Sequence, residues 1–194
     1  YLNIISKVLA EGKNAIMLVP EIALTPNMLK IFRSRFGTGV AILHSGLSVG
    51  ERFDEWERLR RGEAKIAVGA RSAVFAPLEN LGVIIIDEEH DGSYQSDSNP
   101  RYDTLEVAKF RTEKNGCALV LGSATPSLTS FYNAQTGKYR LLELPSRINN
   151  LPLPEVEIVD MGIEVRQGHK SIFSRRLHAE LEEAVAKGNQ AMLF

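Results

Sequence analysis

The chain has 194 residues, 44% of them hydrophobic and 24% charged, with 23 basic against 24 acidic side chains and a net charge of -1. That is the make-up of a globular protein able to bury a sizeable core. So even a balance excludes attachment to nucleic acid or to a membrane surface by overall charge, and any phosphate contact must come from local groups.

The one cysteine, Cys117, excludes a disulfide framework and a cysteine-based metal site, and its place before the apolar run 118–121 suits a buried structural thiol. No apolar run approaches the roughly 20 residues that span a bilayer. A cytoplasmic protein with no membrane partner is expected.

Leu2, Ile5 and Leu9 share one helical face over residues 1–10, with Gly12 as the stop. The uncapped beginning and the apolar residues 191–194 read as cut ends of a longer polypeptide. Residues 15–19 read as a buried strand. Thr25 followed by Pro26 is a helix start, because the hydroxyl caps and the proline lacks an N–H where none is needed. That helix carries Met28, Leu29, Ile31, Phe32 and Phe36 to Gly37. Residues 40–43 form the next strand, and Ser48 with Glu51 makes a capping box for a helix over 49–61 with Phe53, Trp56 and Leu59 buried.

After a strand at 65–68 comes the run Val83-Ile84-Ile85-Ile86, apolar in the manner of a central parallel strand. It ends in Asp87-Glu88-Glu89-His90. The polar segment 91–100 reads as a mobile surface loop. Asp103 and Glu106 open a helix to Asn115, residues 118–121 form a strand, a short helix spans 127–134 and a strand lies near 140–144. Residues 145–154, rich in Pro and Asn, read as a linker. Beyond them come a strand at 156–159, a loop at 162–170, a helix at 174–187 with Leu177, Leu181, Ala184 and Val185 inward, and a final strand.

Strands alternating with helices predict a parallel sheet flanked by helices, with ligands at the carboxyl ends of the strands. Consecutive carboxylates at a strand end point to opposite sides. Asp87 can therefore face a hydrated Mg²⁺ while Glu88 faces an attacking water, which suggests nucleotide hydrolysis.

In chain order PEIALT (20–25), HSGLS (44–48), GARSAVFAP (69–77), DEEH (87–90) and GSATPS (122–127) resemble the motif set of superfamily 2 DNA helicases. The wording of VPEIALTP, GARSAVFAP and DEEHDGSYQ resembles the replication-restart branch of that superfamily. The resemblance implies an ATP-driven motor of two RecA-like lobes that unwinds DNA 3′ to 5′ at stalled forks and promotes primosome assembly. Its implied partners are forked and single-stranded DNA, primosome proteins and single-stranded-DNA-binding protein. The implied organisation is a first RecA-like lobe over 1–146, a linker at 147–155 and the start of a second α/β lobe at 156–194.

Carried onto this sequence, Asp87 holds Mg²⁺ through water, Glu88 is the general base, and His90 links the nucleotide site to the DNA site. Ser123 and Thr125 relay hydrolysis to lobe movement. Pro20, Glu21, Thr25, His44, Ser45, Arg71 and Ser72 line the DNA groove. Alternatives stand beside these roles: His90 as a locally bonded loop residue, Arg71 in a surface ion pair, Ser123 and Thr125 as helix caps, His44 and Ser45 as turn residues.

The phosphate-binding pattern Gly-x-x-x-x-Gly-Lys-Ser/Thr is missing, and Gly12-Lys13-Asn14 lacks its glycine spacing and hydroxyl. The family places that loop just before Tyr1, and its zinc sites elsewhere. This stretch alone is therefore expected neither to bind ATP well nor to hydrolyse it. Two other readings remain open: a metal-dependent hydrolase or nuclease ligated by Asp87, Glu88, Glu89 and His90, and a non-catalytic nucleic-acid-binding or interaction module.

Overall fold

The computed structural model describes residues 1–146 and 152–194. Five aliphatic runs become strands: β1 (Asn14–Leu18), β2 (Val40–Leu43), β3 (Ile66–Gly69), β4 (Leu81–Ile86) and β5 (Ala118–Leu121). They lie in the order β2-β3-β1-β4-β5, and every pairing is parallel. Leu43 pairs with Gly69, Gly69 with Leu18, Leu18 with Ile86, and Ile86 with Leu121. The register brings all five carboxyl ends to one rim of the sheet. Gly69 is required there: a Cβ would lie 2.1 Å from the Leu43 carbonyl oxygen.

Successive residues of β4 face opposite layers. Val83 and Ile85 pack with Ile5 of α1 (Leu2–Ala10) and Phe32 of α2 (Pro26–Phe36), whereas Ile84 and Ile86 pack with Leu59 of α3 (Val49–Arg60) and Ala108 of α4 (Thr104–Asn115). Helices on both faces make β4 apolar throughout, and each of its isoleucines stabilises the fold by about 1.5–3 kcal/mol. The α/β sheet flanked by helices is the architecture expected from the sequence.

The helix starts follow their local chemistry. The Thr25 hydroxyl accepts from Met28 N–H at 3.3 Å, Ser48 and Glu51 form the reciprocal capping box, and Asp103 accepts from Leu105 and Glu106 N–H.

Several expectations are corrected. Phe53 is 63% exposed, so on α3 only Leu59 is fully buried while Trp56 is half-buried. The loop 91–100 is tied down at its base: Tyr94 and Ser96 are buried, and Gln95 bridges Asp103 antiparallel. No strand forms at 140–144, 156–159 or 191–194, because an extended run with no ladder partner leaves its backbone to water. Residues 162–166 of the expected loop are helical, part of α6 (Met161–Arg166), with the Asp160 carboxylate accepting from Gly162 and Ile163 N–H.

The chain divides into two compact units, Tyr1–Leu141 and Leu142–Phe194. Residues 147–151 of the expected linker lie outside the described residues. The smaller unit holds α6 and α7 (Arg175–Ala186), and no strand among its described residues. Val185 of α7 is 70% exposed, against the expectation that it faces inward.

Candidate active site

β4 delivers the acidic run to the rim. Asp87 continues the ladder, its N–H donating to Leu18 O at 2.9 Å, and Glu89 N–H donates to Gly122 O at 3.0 Å in the loop after β5. Between them Glu88 takes a left-handed backbone, φ 47°. A non-glycine residue holds that conformation only where its surroundings impose it, and such residues concentrate at functional sites. The turn closes with Asp91 N–H donating to Glu88 O at 2.8 Å.

Three anchors surround the acids. The Tyr94 hydroxyl, reaching up from the loop, donates to the Asp87 carbonyl at 2.6 Å. The Tyr1 hydroxyl donates to Asp87 Oδ1 at 2.7 Å and lies close against Gly122, where a Cβ would meet it at 1.8 Å. Both phenols are pushed well above their ordinary pKa, chiefly by burial and then by the Asp87 carboxylate, so both stay protonated donors. The Glu89 carboxylate accepts from Ser127 and Ser130, at the start of α5 (Leu128–Gln135).

His90 joins the two motif loops. Its Nδ1 shares a hydrogen bond with Ser123 Oγ at 2.7 Å and its Nε2 one with Thr125 Oγ1 at 3.4 Å, while Glu88 Oε2 lies 3.7 Å from Nδ1. Ser123 Oγ also accepts from Thr125 N–H at 2.9 Å. The alternative in which Ser123 and Thr125 cap the following helix does not hold, since Ser127 is the cap of α5.

Five of the seven expected groove residues, Glu21, His44, Ser45, Arg71 and Ser72, line one cleft of about 380 Å³. Pro20 is buried and Thr25 is engaged in capping α2, and neither lines it. Among the described residues Arg71 makes no ion pair: its guanidinium donates to Gln95 O at 2.7 Å and Ser93 O at 3.5 Å, tying the cleft to the anchored loop. His44 does make the turn contact, accepting from Gly46 N–H at 3.1 Å, and it also opens onto a second cleft with Lys30 and Arg33.

Sequence reasoning missed Arg52, Trp56 and Tyr102 in the first cleft. The spacing of Arg52 and Trp56, one helical turn apart on α3, was the available signal. It also missed Tyr94, a lone aromatic in a polar loop.

The acid pair suits Mg²⁺-nucleotide chemistry. Both carboxylates are half-exposed at the rim, on a backbone fixed before and after Glu88. Direct ligation by the whole acidic run does not fit: among the described residues no three His, Cys, Asp or Glu side chains converge on a metal position, and Glu89 and His90 are bonded to hydroxyls.

Residues 1–133 match the DEAD/DEAH box helicase family, and the chain belongs to that family. Over 194 residues it is 57% identical to the replication restart protein PriA of Bacillus subtilis (strain 168), covering 100% of this chain and 24% of that protein. The replication restart protein PriA of Synechocystis sp. is 49% identical over 199 residues, again covering 100% of this chain and 24% of the relative. That of Haemophilus influenzae is 40% identical over 195 residues, 100% of this chain and 26% of the relative. The chain thus spans about a quarter of the length of these curated relatives. No helix among the described residues is long and apolar enough to cross a membrane.

Proposed function

We propose that the protein containing this chain is an ATP-dependent DNA helicase that unwinds forked DNA 3′ to 5′ to restart replication, acting with primosome proteins and single-stranded-DNA-binding protein. The observation that carries the reading is the meeting of Asp87, Glu88 and His90 with Ser123 and Thr125 at one rim, in the same compact unit as a cleft lined by Arg71. The names of the relatives support the replication-restart part of it.

In this reading Asp87 would hold Mg²⁺ through water, and the ion would supply charge neutralisation on the β- and γ-phosphates. Glu88 orients the attacking water and takes its proton. His90, bonded to both hydroxyls, carries a change at the acid pair into the 122–127 loop. Lys30, Arg33, His44, Arg52 and Arg71 form the track for the DNA backbone, as local cations must in a chain of net charge -1. The smaller unit is the beginning of the second lobe. The 194 residues alone neither bind ATP well nor hydrolyse it, because they contain no Gly-x-x-x-x-Gly-Lys-Ser/Thr loop to cradle the phosphates.

The test is strand displacement by the full-length protein on forked duplexes with a single-stranded 3′ or 5′ arm. ATP-dependent unwinding that needs the 3′ template arm is expected. Unwinding that is independent of ATP, or metal-dependent strand cleavage without ATP, would rule the reading out.

A further inference from the structure

Glu89 is neither of the two acids assigned to hydrolysis, yet its carboxylate is bound on three sides. It accepts from Ser127 N–H at 2.7 Å, from the Ser127 hydroxyl at 3.2 Å and from the Ser130 hydroxyl at 3.0 Å. Ser127 in turn accepts from Ser130 N–H at 3.2 Å as the cap of α5. The carboxylate therefore sits at the positive end of a helix that begins directly after the GSATPS loop, an arrangement favoured by both hydrogen bonding and the helix dipole.

The backbone on either side of Glu88 is pinned. Before it, Asp87 is held by Leu18 O through its N–H and by the Tyr94 hydroxyl through its carbonyl; after it, Glu89 N–H is held by Gly122 O. The left-handed turn at Glu88, φ 47°, survives only while both flanks are fixed. The side chain of Glu89 supplies the second fixing on that flank, and it does so from the element whose loop also carries Ser123 and Thr125.

We infer that Glu89 is a positioning residue, a clamp that binds the start of α5 to the acidic turn, thereby holding Glu88 in its water-orienting conformation and keeping Ser123 and Thr125 within reach of His90. The inference rests on the function proposed above and deepens it. Without the clamp the 122–127 loop is held to the acidic turn and its strand end only at Gly122, by Glu89 N–H to Gly122 O and Gly122 N–H to Ile86 O, and by the His90 contacts, so that Ser123 to Ser127 move with respect to the turn. Nucleotide affinity, which depends on other groups, is left in place, while the hydrolytic step and its response to DNA are lost. Misplacement of a reacting group by a fraction of an ångström to an ångström is enough to cost one to two orders of magnitude in rate.

The experiment is steady-state ATP hydrolysis by the full-length protein with saturating single-stranded DNA, run beside fork unwinding, for Glu89→Ala, Glu89→Gln and Ser130→Ala. For Glu89→Ala the expected result is a KM for ATP within about twofold of wild type with a DNA-stimulated kcat about tenfold lower, and fewer base pairs opened per ATP. Glu89→Gln recovers most of the rate, because its amide oxygen still accepts from Ser127 N–H and its NH₂ donates to the Ser130 hydroxyl. Ser130→Ala, which leaves two of the three bonds, falls between.

A folded Glu89→Ala protein with wild-type kcat, or with a raised KM and unchanged kcat, overturns the inference. So does a Glu89→Gln protein no better than Glu89→Ala. Should Glu89→Ala fail to fold, Ser130→Ala decides, and wild-type kcat in that variant overturns the clamp. A wild-type protein that neither hydrolyses ATP nor unwinds DNA defeats the functional reading itself, whereas an active wild type with an equally active Glu89→Ala defeats only the clamp.

Discussion

Asp87 and Glu88 were legible as a pair because the aliphatic run ending in acids stands fourth of five strand-end motifs in order; alone, an apolar strand followed by acidic turn residues is common. The left-handed turn at Glu88 was not legible, since nothing in a Glu-Glu-His run demands it; it is imposed from outside by Leu18, Tyr94 and Gly122. Tyr94 is the clearest of these. Its hydroxyl is the donor for the Asp87 carbonyl, so Tyr94→Phe should lower the unfolding free energy of the chain in urea by about 1 kcal/mol and Tyr94→Ala by about 3–5 kcal/mol. Gly69→Ala is a steric test at the same rim. A Cβ placed 2.1 Å from Leu43 O forces β2 and β3 apart, and a loss of about 1–3 kcal/mol with a lowered thermal midpoint is expected.

Helix starts were the most readable elements, because Thr25, Ser48, Asp103 and Ser127 act through bonds only two or three residues away. Strands at 140–144 and 156–159 were misread because a strand depends on a partner that local sequence does not contain, while the short α6 was hidden by Gly162 despite its Asp160 cap. The capping box carries a pH signature. Bonds from the Ser48 hydroxyl and backbone N–H hold the Glu51 carboxyl below the usual carboxylate range. Its folded pKa is thus depressed, so its support for α3 is present above the unfolded carboxylate pKa and disappears as pH falls through the lower, folded value. Amide chemical shifts of Ser48, Glu51 and Arg52 should report fraying only in acid, and Glu51→Gln should remove that titration. A second element-scale bond set was invisible in sequence. Arg111 of α4 donates to Val74 O at 2.5 Å, Ala76 O at 3.0 Å and Leu78 O at 3.0 Å, bracing the GARSAVFAP loop. Burial lowers its guanidinium pKa without discharging it. Arg111→Lys should destabilise the chain by roughly 2–3 kcal/mol in urea unfolding, little better than Arg111→Ala, because a point-like ammonium cannot serve three carbonyls in a fork.

At the scale of the molecule, the order of the five motifs was enough to place the acidic turn and the Ser-Ala-Thr loop together. The cleft was only partly foreseeable. Its walls come from residues as far apart as Glu21 and Tyr102, and pairing such loops requires the strand order β2-β3-β1-β4-β5, which no local signal encodes. In the proposed reading the DNA backbone meets this stretch, of net charge -1, through local cations near the clefts, Lys30, Arg33, Arg52 and Arg71. Plots of log affinity against log salt for single-stranded DNA and the full-length protein should become shallower by about 0.7 for each of Lys30→Ala and Arg33→Ala, whatever the DNA sequence. An unchanged slope would remove those side chains from the track.

The central claim is that β4 presents a water-orienting glutamate beside a metal-organising aspartate. It is tested most directly by measuring ATP binding and single-turnover hydrolysis in the full-length Glu88→Gln protein with DNA bound. Retained nucleotide affinity with hydrolysis slowed by about 100-fold or more is the predicted result. Hydrolysis at the wild-type rate in that variant would contradict the account.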